Sequence, residues 1–168
     1  MDARHIERIE RDIVRAVAGN VTDVMDGEWE DRQWVHLFVD IEIDRDGGRS
    51  SSITFALAHK AGQPLEDVAF RLPREAKRLF GELAEAMRRP GEDRWSSAQL
   101  RVEGDGRYAF VFSYDLPWRL GGKLIDKRFE DYLDRWLDGP EGARFRQGAA
   151  SPRRGLWGKL AALLRPGL

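Results

Sequence analysis

The chain has 168 residues, no cysteine, 42% hydrophobic and 34% charged residues, and a formal net charge of −1. This length supports one domain with its own core, and the lack of cysteine excludes disulfides, thiolate catalysis and cysteine-ligated metal sites. The near-neutral charge does not favour direct nucleic-acid binding. No apolar run approaches the length of a membrane-spanning helix and the amino terminus lacks a signal-peptide pattern, so we expect a cytoplasmic protein.

The first part of the chain predicts a helix followed by a β-hairpin. Apolar residues recur at three- and four-residue steps over residues 6–17, as on one face of an amphipathic helix. Over residues 34–43 two sets of side chains alternate with period two, which is typical of a strand. Turn residues at 44–48 and a second alternating run at 52–57 complete the hairpin.

The pattern of a helix and a hairpin then repeats, followed by a third helix. Residues 59–70 contain a glycine and a proline without a regular period, so we expect a loop there. Residues 73–87 predict the second helix, with a proline at its first turn. Two alternating runs over residues 98–114 flank a Gly-Asp-Gly turn and predict the second hairpin. Residues 124–137 predict the third helix.

These elements predict an α+β fold with a mostly antiparallel sheet, built from two β-hairpins, and three helices packed on one face. We expect this domain to span residues 1–138. The remaining segment, residues 139–168, is rich in glycine and proline and contains six basic residues and one acidic residue. The domain itself therefore carries a formal net charge of −6.

The end of the chain, residues 152–168, predicts a short basic amphipathic helix. Its apolar residues are spaced as one helix face: Leu156, Trp157, Leu160, Leu163 and Leu164. Such a helix suits an anionic membrane surface, a partner protein or its own domain; docking on its own domain or a loosely ordered terminus is commoner than membrane contact. A membrane-associated or regulatory adaptor acting through this segment is one alternative function.

An enzymatic alternative comes from the first predicted strand. Asp40, Glu42 and Asp44 alternate along it, so their carboxylates would project on one face and could hold a divalent cation. This pattern would suit a metal-dependent hydrolase, although such sites need further ligands and a base that the sequence does not supply. The other interpretation is a solvated face that runs into an acidic turn.

No other pattern in the sequence predicts catalysis or a cofactor. The three histidines, His5, His36 and His59, lack the spacing of a zinc site. The glycines form neither a dinucleotide-binding nor a phosphate-binding loop, and no serine occupies a nucleophile elbow. We therefore expect no catalytic residues and no cofactor.

The segment from Arg94 to Asp115 resembles the YezG-like immunity proteins. That family typically has a tryptophan followed by serine or threonine, a strand, a Gly-Lys-Phe-like turn and a strand that ends in Tyr-Asp. Here Trp95-Ser96, Gly106-Arg107-Tyr108 and Tyr114-Asp115 occupy those places. The order of elements is also similar over roughly residues 3–138. The chain departs from the family at Arg107 and Tyr108, in the continuation Leu116-Pro117-Trp118, and in the basic tail.

The resemblance implies a cytoplasmic protein that binds and neutralises a cognate toxin domain of a polymorphic or contact-dependent secretion system, often a nuclease. It implies no catalytic residues. An acidic domain would be steered to the basic substrate cleft of such a toxin. We therefore expect the partner-binding residues to be exposed acidic and aromatic side chains of the two hairpins: Asp40, Glu42, Asp44, Asp46, Asp105, Asp115 and Trp118.

Overall fold

The computed structural model describes residues 2–146, which form a five-stranded antiparallel sheet with helices on both faces. The strands are β1 (Gln33–Ile43), β2 (Ser50–His59), β3 (Glu66–Ala69), β4 (Ser97–Glu103) and β5 (Tyr108–Ser113). The helices are α1 (Ala3–Gly19), α2 (Arg74–Met87) and α3 (Tyr132–Asp138). The strand order is β3-β2-β1-β4-β5, so β1 is central. The predicted α+β class and both predicted hairpins are confirmed.

The main core lies between the first face of the sheet, α1 and α2. Alternate side chains of β1 enter it together with one stripe of α1, and all of them are buried: Ile9, Ile13, Val17, Leu37, Val39 and Ile41. Each such side chain contributes about 1.5–3 kcal/mol through burial. The Asp2 carboxylate caps α1 by accepting a hydrogen bond from the Arg4 N–H at 3.0 Å. This capping bond defines where the helix begins.

The segment 59–70, expected to be a loop, contains the edge strand β3. Its four residues pair with β2, and Ala69 lies opposite Phe55. A strand of four residues is too short to establish a period of two, which explains why the pattern did not predict it. The sheet therefore has one strand more than the two hairpins supply.

The third helix lies on the opposite face of the sheet from α1 and α2, which differs from the expected single helical layer. The Phe38 ring of β1 lies 5.0 Å from the Phe129 ring and 4.6 Å from the Tyr132 ring, measured between centroids. Phe55 of β2 joins the same cluster. These aromatic side chains of β1 and β2 point away from the main core, so burying them requires a second layer.

The first residues of the predicted carboxyl-terminal extension pack against this second layer. Arg146 donates a hydrogen bond to the Leu137 carbonyl at the end of α3, and the Phe145 ring lies 5.8 Å from the Trp136 ring. The amphipathic helix predicted within residues 152–168 lies outside the described residues. Within residues 2–146, none of the helices has the length and apolarity needed to cross a bilayer.

Candidate functional site

A cluster of five charged side chains lies between the second face of the sheet and the segment that follows β5. We call it the polar cluster; its members are Asp40, Glu42, Arg119, Asp126 and Arg128. The three carboxylates are buried. Since three carboxylates meet only two guanidinium groups, other donors must satisfy the remaining negative charge.

Backbone N–H groups supply that compensation at Glu42. Its Oε1 accepts a hydrogen bond from the Trp118 N–H at 2.9 Å, and its Oε2 accepts from the N–H groups of Arg119 at 2.8 Å and Leu120 at 2.9 Å. Three consecutive N–H groups directed at one carboxylate form an anion-binding turn. Glu42 thereby fixes the backbone of a segment that we call the anchored loop, residues 114–126.

Arg119 connects the anchored loop to both strands of the first hairpin. It donates from Nη2 to Asp40 Oδ1 at 2.7 Å and from Nε to Ser51 Oγ at 3.0 Å. Its Nη1 donates to Asp126 Oδ2 at 2.9 Å. Arg128 binds the same Asp126 carboxylate through two nitrogens, at 2.6 and 2.8 Å. Such bidentate pairs fix orientation as well as charge.

The titration of the two aspartates differs because their surroundings differ. Burial raises the pKa of Asp40, and the Arg119 guanidinium acts against that effect. Burial acts in the same direction at Asp126, but the hydrogen bonds from Arg128 and Arg119 dominate and hold the pKa of Asp126 below its ordinary value. Burial outweighs pairing at the first site, and pairing outweighs burial at the second.

The expectation that Asp40 and Glu42 are exposed is wrong, because their side chains are each only 1% exposed. They lie on the face that α3 and the anchored loop cover, so any role of theirs in binding acts through the loop that they hold. The geometry also does not favour the metal site proposed at Asp40, Glu42 and Asp44, since arginines already neutralise the first two carboxylates. Within residues 2–146, no three His, Cys, Asp or Glu side chains are grouped to hold a metal ion.

The other predicted contact residues lie at two opposite ends of the sheet. Asp44 is partly buried and accepts a hydrogen bond from Arg49 Nε at 3.1 Å, while Asp46 is exposed in the same turn. Asp105 is exposed in the β4–β5 turn, at the other end. The structure therefore does not bring all seven predicted residues together, and the binding roles of these three stay predictions.

Asp115 and Trp118 belong to the anchored loop. Asp115 is exposed, and its carboxylate accepts a hydrogen bond from the Ser113 hydroxyl at 3.1 Å. Trp118 is half-buried and donates from Nε1 to the Ile125 carbonyl at 3.3 Å. The Lys123 ammonium lies 3.6 Å from the centre of the Trp118 ring, at cation–π distance.

Most of the exposed large hydrophobic side chains lie on the anchored loop or on β5. Seven are exposed among the described residues, and six of these lie between positions 108 and 125: Tyr108, Val111, Tyr114, Leu116, Leu124 and Ile125. Leu116 and Leu124 are 87% and 90% exposed. We call Leu116, Leu124 and Ile125 the apolar loop surface. Exposed apolar patches mark interaction surfaces. The sequence pattern did not indicate this one, because Leu124 fits the buried stripe of the helix predicted over residues 124–137.

A groove with a basic border runs between this surface and α3. One hollow, of about 470 Å³, is lined in part by Arg101, Arg128 and Arg135. The next, of about 670 Å³, is lined in part by Trp118 and Lys123, and it shares Arg128 with the first. The charged residues of the first hollow are therefore all basic, whereas Glu42 and Asp115 also line the second, which has mixed charge. A groove with this border suits an acidic surface on a partner.

A second buried polar chain lies at the other end of the same face. His36 is 1% exposed; its Nδ1 lies 3.0 Å from Glu103 Oε1 and its Nε2 lies 2.7 Å from the Tyr132 hydroxyl. Burial lowers the pKa of His36, which favours the neutral ring. Burial also raises the pKa of Tyr132, so the phenol keeps its proton. A protonated phenol beside a neutral imidazole is suited to holding α3 on the sheet and not to nucleophilic attack.

No family model matches this sequence, and no curated protein is similar to it. A function can therefore be argued only from the residues and contacts of this chain and from the resemblance of its second hairpin.

Proposed function

We propose that the protein is a cytoplasmic immunity protein that binds a cognate toxin domain and neutralises it without chemistry of its own. The observation that carries this proposal is the exposure of Leu116, Leu124 and Ile125 on a loop fixed by buried charges. Exposing three large apolar side chains on one loop is unfavourable unless a partner covers them. The resemblance of residues 94–115 to YezG-like immunity proteins supports a toxin as that partner.

The anchoring of the loop favours tight binding. A mobile loop loses conformational entropy when a partner orders it, and this loss weakens affinity. Here the Glu42 carboxylate and the Arg119 guanidinium fix the loop backbone before any partner arrives. Asp40 and Glu42 are thus assigned a positioning role, and the contacts are assigned to the side chains that the loop presents.

The position of the apolar loop surface fits a recognition role within the family. Trp95, which belongs to the pattern shared with the family, is 2% exposed, and its ring packs against that of Phe112. This residue therefore stabilises the second hairpin and is not available to contact a partner. The apolar loop surface begins directly after Tyr114-Asp115, where the chain departs from the family. Loops carried on a rigid scaffold are where specificity for one partner usually resides.

The charge of the border suggests how the toxin is contacted. Arg101 and Arg135 line the first hollow, and Lys123 lines the second together with Leu116 and Asp115. Because like charges oppose association, this border disfavours insertion into the basic substrate cleft of a nuclease. We expect the protein to bind an apolar patch with acidic surroundings, outside such a cleft.

The experiment is to identify whether a large secreted protein is encoded beside this chain and to co-express its carboxyl-terminal domain with the chain in bacteria. The wild-type chain should restore growth and should co-purify with that domain. The double variant Leu116→Asp, Leu124→Asp should lose both properties, because a carboxylate covered by a partner loses its water without gaining a counter-charge. A cost of about 2 kcal/mol would lower the affinity roughly thirtyfold.

The matched control is Met25→Asp, which places a carboxylate on an exposed apolar residue away from the loop. It should bind and protect as the wild type does. Failure of the wild-type chain to bind or protect would refute the toxin as partner. Full protection by a folded double variant would refute the apolar loop surface as the contact.

A further inference from the structure

The strand β5 forms an open edge of the sheet. It pairs with β4 on one side, and no described strand pairs with its other side. The carbonyl groups of Arg107 and Ser113, an even number of residues apart, both accept hydrogen bonds from the β4 side at 2.8 Å. Because the direction of the peptide groups alternates from one residue to the next along an antiparallel strand, every second residue between these two points its N–H and C=O away from β4. The outward residues are Tyr108, Phe110 and Phe112.

Within residues 2–146, the β5 edge has little of the usual protection against pairing with another strand. Proteins commonly protect edges with charged residues, prolines or very short strands. The opposite edge, β3, is only four residues long and carries Glu66 and Asp67. Residues 108–114, by contrast, contain no charged residue and no proline. Val111 and Tyr114 are 53% and 63% exposed.

The sequence of this edge is nearly symmetric about Val111. Residues 107–115 read Arg-Tyr-Ala-Phe-Val-Phe-Ser-Tyr-Asp. In an antiparallel pair of two copies centred on Val111, like residues meet: Tyr108 with the partner's Tyr114, Ala109 with the partner's Ser113, and Phe110 with the partner's Phe112. Arg107 and the partner's Asp115 would also lie opposite each other, while Arg107 keeps its pairs with Asp105 at 2.7 Å and Glu141 at 2.9 Å in its own chain. The segment is therefore complementary to itself in size and polarity.

The outward peptide groups fit the same register. Phe110 and the partner's Phe112 would exchange two backbone hydrogen bonds, and the twofold axis repeats them. The two Val111 side chains would then form a non-hydrogen-bonded pair on the axis, with Cα atoms about 4.5 Å apart. On the other face, the rings of Tyr108, Phe110 and Phe112 already form a row with centroid separations of 6.0 and 5.8 Å. A second copy would continue that row.

We propose that this chain forms a homodimer through β5, with the two strands antiparallel about a twofold axis at Val111, so that the two sheets join into one. The paired residues end at Asp115, directly before the apolar loop surface, and Val111 lines the same hollow as Leu116. Dimerisation and toxin binding are therefore measured by separate readouts.

The first test compares self-association of full-length variants by sedimentation over a concentration series that reaches the millimolar range. The wild type should dimerise. Val111→Lys places two like charges on the twofold axis and should raise the dissociation constant by about tenfold or more. Met25→Lys is the matched control, since Met25 is also 53% exposed and lies elsewhere, and it should dimerise as the wild type does.

The second test uses the absence of cysteine from the chain. Val111→Cys introduces one thiol per chain, and a pair on the axis would satisfy the spacing of a disulfide. Mild oxidation should convert this variant to a covalent dimer much faster than it converts Met25→Cys. Reduction should reverse the link.

A wild type that stays monomeric throughout the series would overturn the proposal. Equal rates of cross-linking for the two cysteine variants, or unchanged dimerisation of a folded Val111→Lys, would also overturn it. None of these three results would refute toxin neutralisation, which has its own readout in growth.

Discussion

Arg119 and Asp40 form a buried ion pair, with 2.7 Å between Nη2 and Oδ1 and side chains that are 11% and 1% exposed. The pair joins the anchored loop to the central strand. Arg119→Met keeps the side-chain length but leaves Asp40 and Asp126 short of a cation. We expect a loss of about 3–5 kcal/mol in the free energy of unfolding, as for other buried pairs that lose one partner. Urea denaturation followed by tryptophan fluorescence measures it.

The control is Arg78→Met on α2. Arg78 pairs with Glu75 and Glu82 at 2.7 and 2.9 Å, but its side chain is 58% exposed. Exposed pairs contribute little to stability because water and salt screen them, so this variant should unfold close to the wild type. Similar losses in the two variants would contradict the structural role of the polar cluster.

Glu42→Gln should loosen the anchored loop. A glutamine offers one oxygen in place of two and directs an NH₂ group at N–H donors, leaving at least one of them unsatisfied at a cost of about 1–3 kcal/mol. Amide exchange at positions 118–120 should accelerate by roughly tenfold or more, since each 1.4 kcal/mol is a factor of ten. Hydrogen exchange read by mass spectrometry tests this. Glu82→Gln should leave the same amides unchanged.

The sequence predicted the strand that bears Asp40 and Glu42 but not their burial. Alternation puts both on the same face as His36 and Phe38. The Phe38 ring on this face indicates that another layer covers it. The strand pattern therefore already indicated that carboxylates on the same face would be buried. The sequence could not identify their partners, because Glu42 meets Trp118 76 residues further along the chain. That contact depends on how the anchored loop folds.

The placement of the third helix shows the same limit. An amphipathic pattern identifies which side chains of a helix are buried, but it does not say which face of a sheet receives them. The third helix packs on the face that carries the aromatic rings of Phe38 and Phe55. These two rings lie side by side because β1 and β2 are paired. Local patterns therefore predicted the α+β class, whereas the candidate site depends on contacts between distant segments.

The free energy of unfolding should depend on pH through His36. Burial lowers the pKa of this histidine below its ordinary value of 6.5. As the pH falls below that value, the unfolded chain gains a proton that the folded chain excludes. Stability should therefore decrease with falling pH, by at most about 1.4 kcal/mol per pH unit, until the lowered pKa is reached.

Urea denaturation at several pH values between about 7.5 and 5 measures this slope. Comparison with His36→Gln separates it from Asp40, whose raised pKa acts in the opposite direction. His36→Gln should flatten it. His5→Gln keeps His36 and should retain the wild-type slope. Equal slopes for the wild type and His36→Gln would assign the pH dependence to other groups.

Gly121→Ala should disturb the anchored loop by steric overlap. A Cβ atom at this position would overlap the carbonyl oxygen of Pro117, so the backbone that Glu42 holds would have to shift. We expect a loss of about 1–3 kcal/mol in the free energy of unfolding, together with weaker toxin binding. Gly81→Ala, in the interior of α2, is the matched control: its Cβ would meet no atom within 4 Å. It should stabilise the chain by about 0.5–1 kcal/mol through its higher helix propensity. If Gly121→Ala lowers the free energy of unfolding while Gly81→Ala raises it, the steric constraint lies in the anchored loop. An unchanged free energy of unfolding for Gly121→Ala would mean that the loop is not held as described.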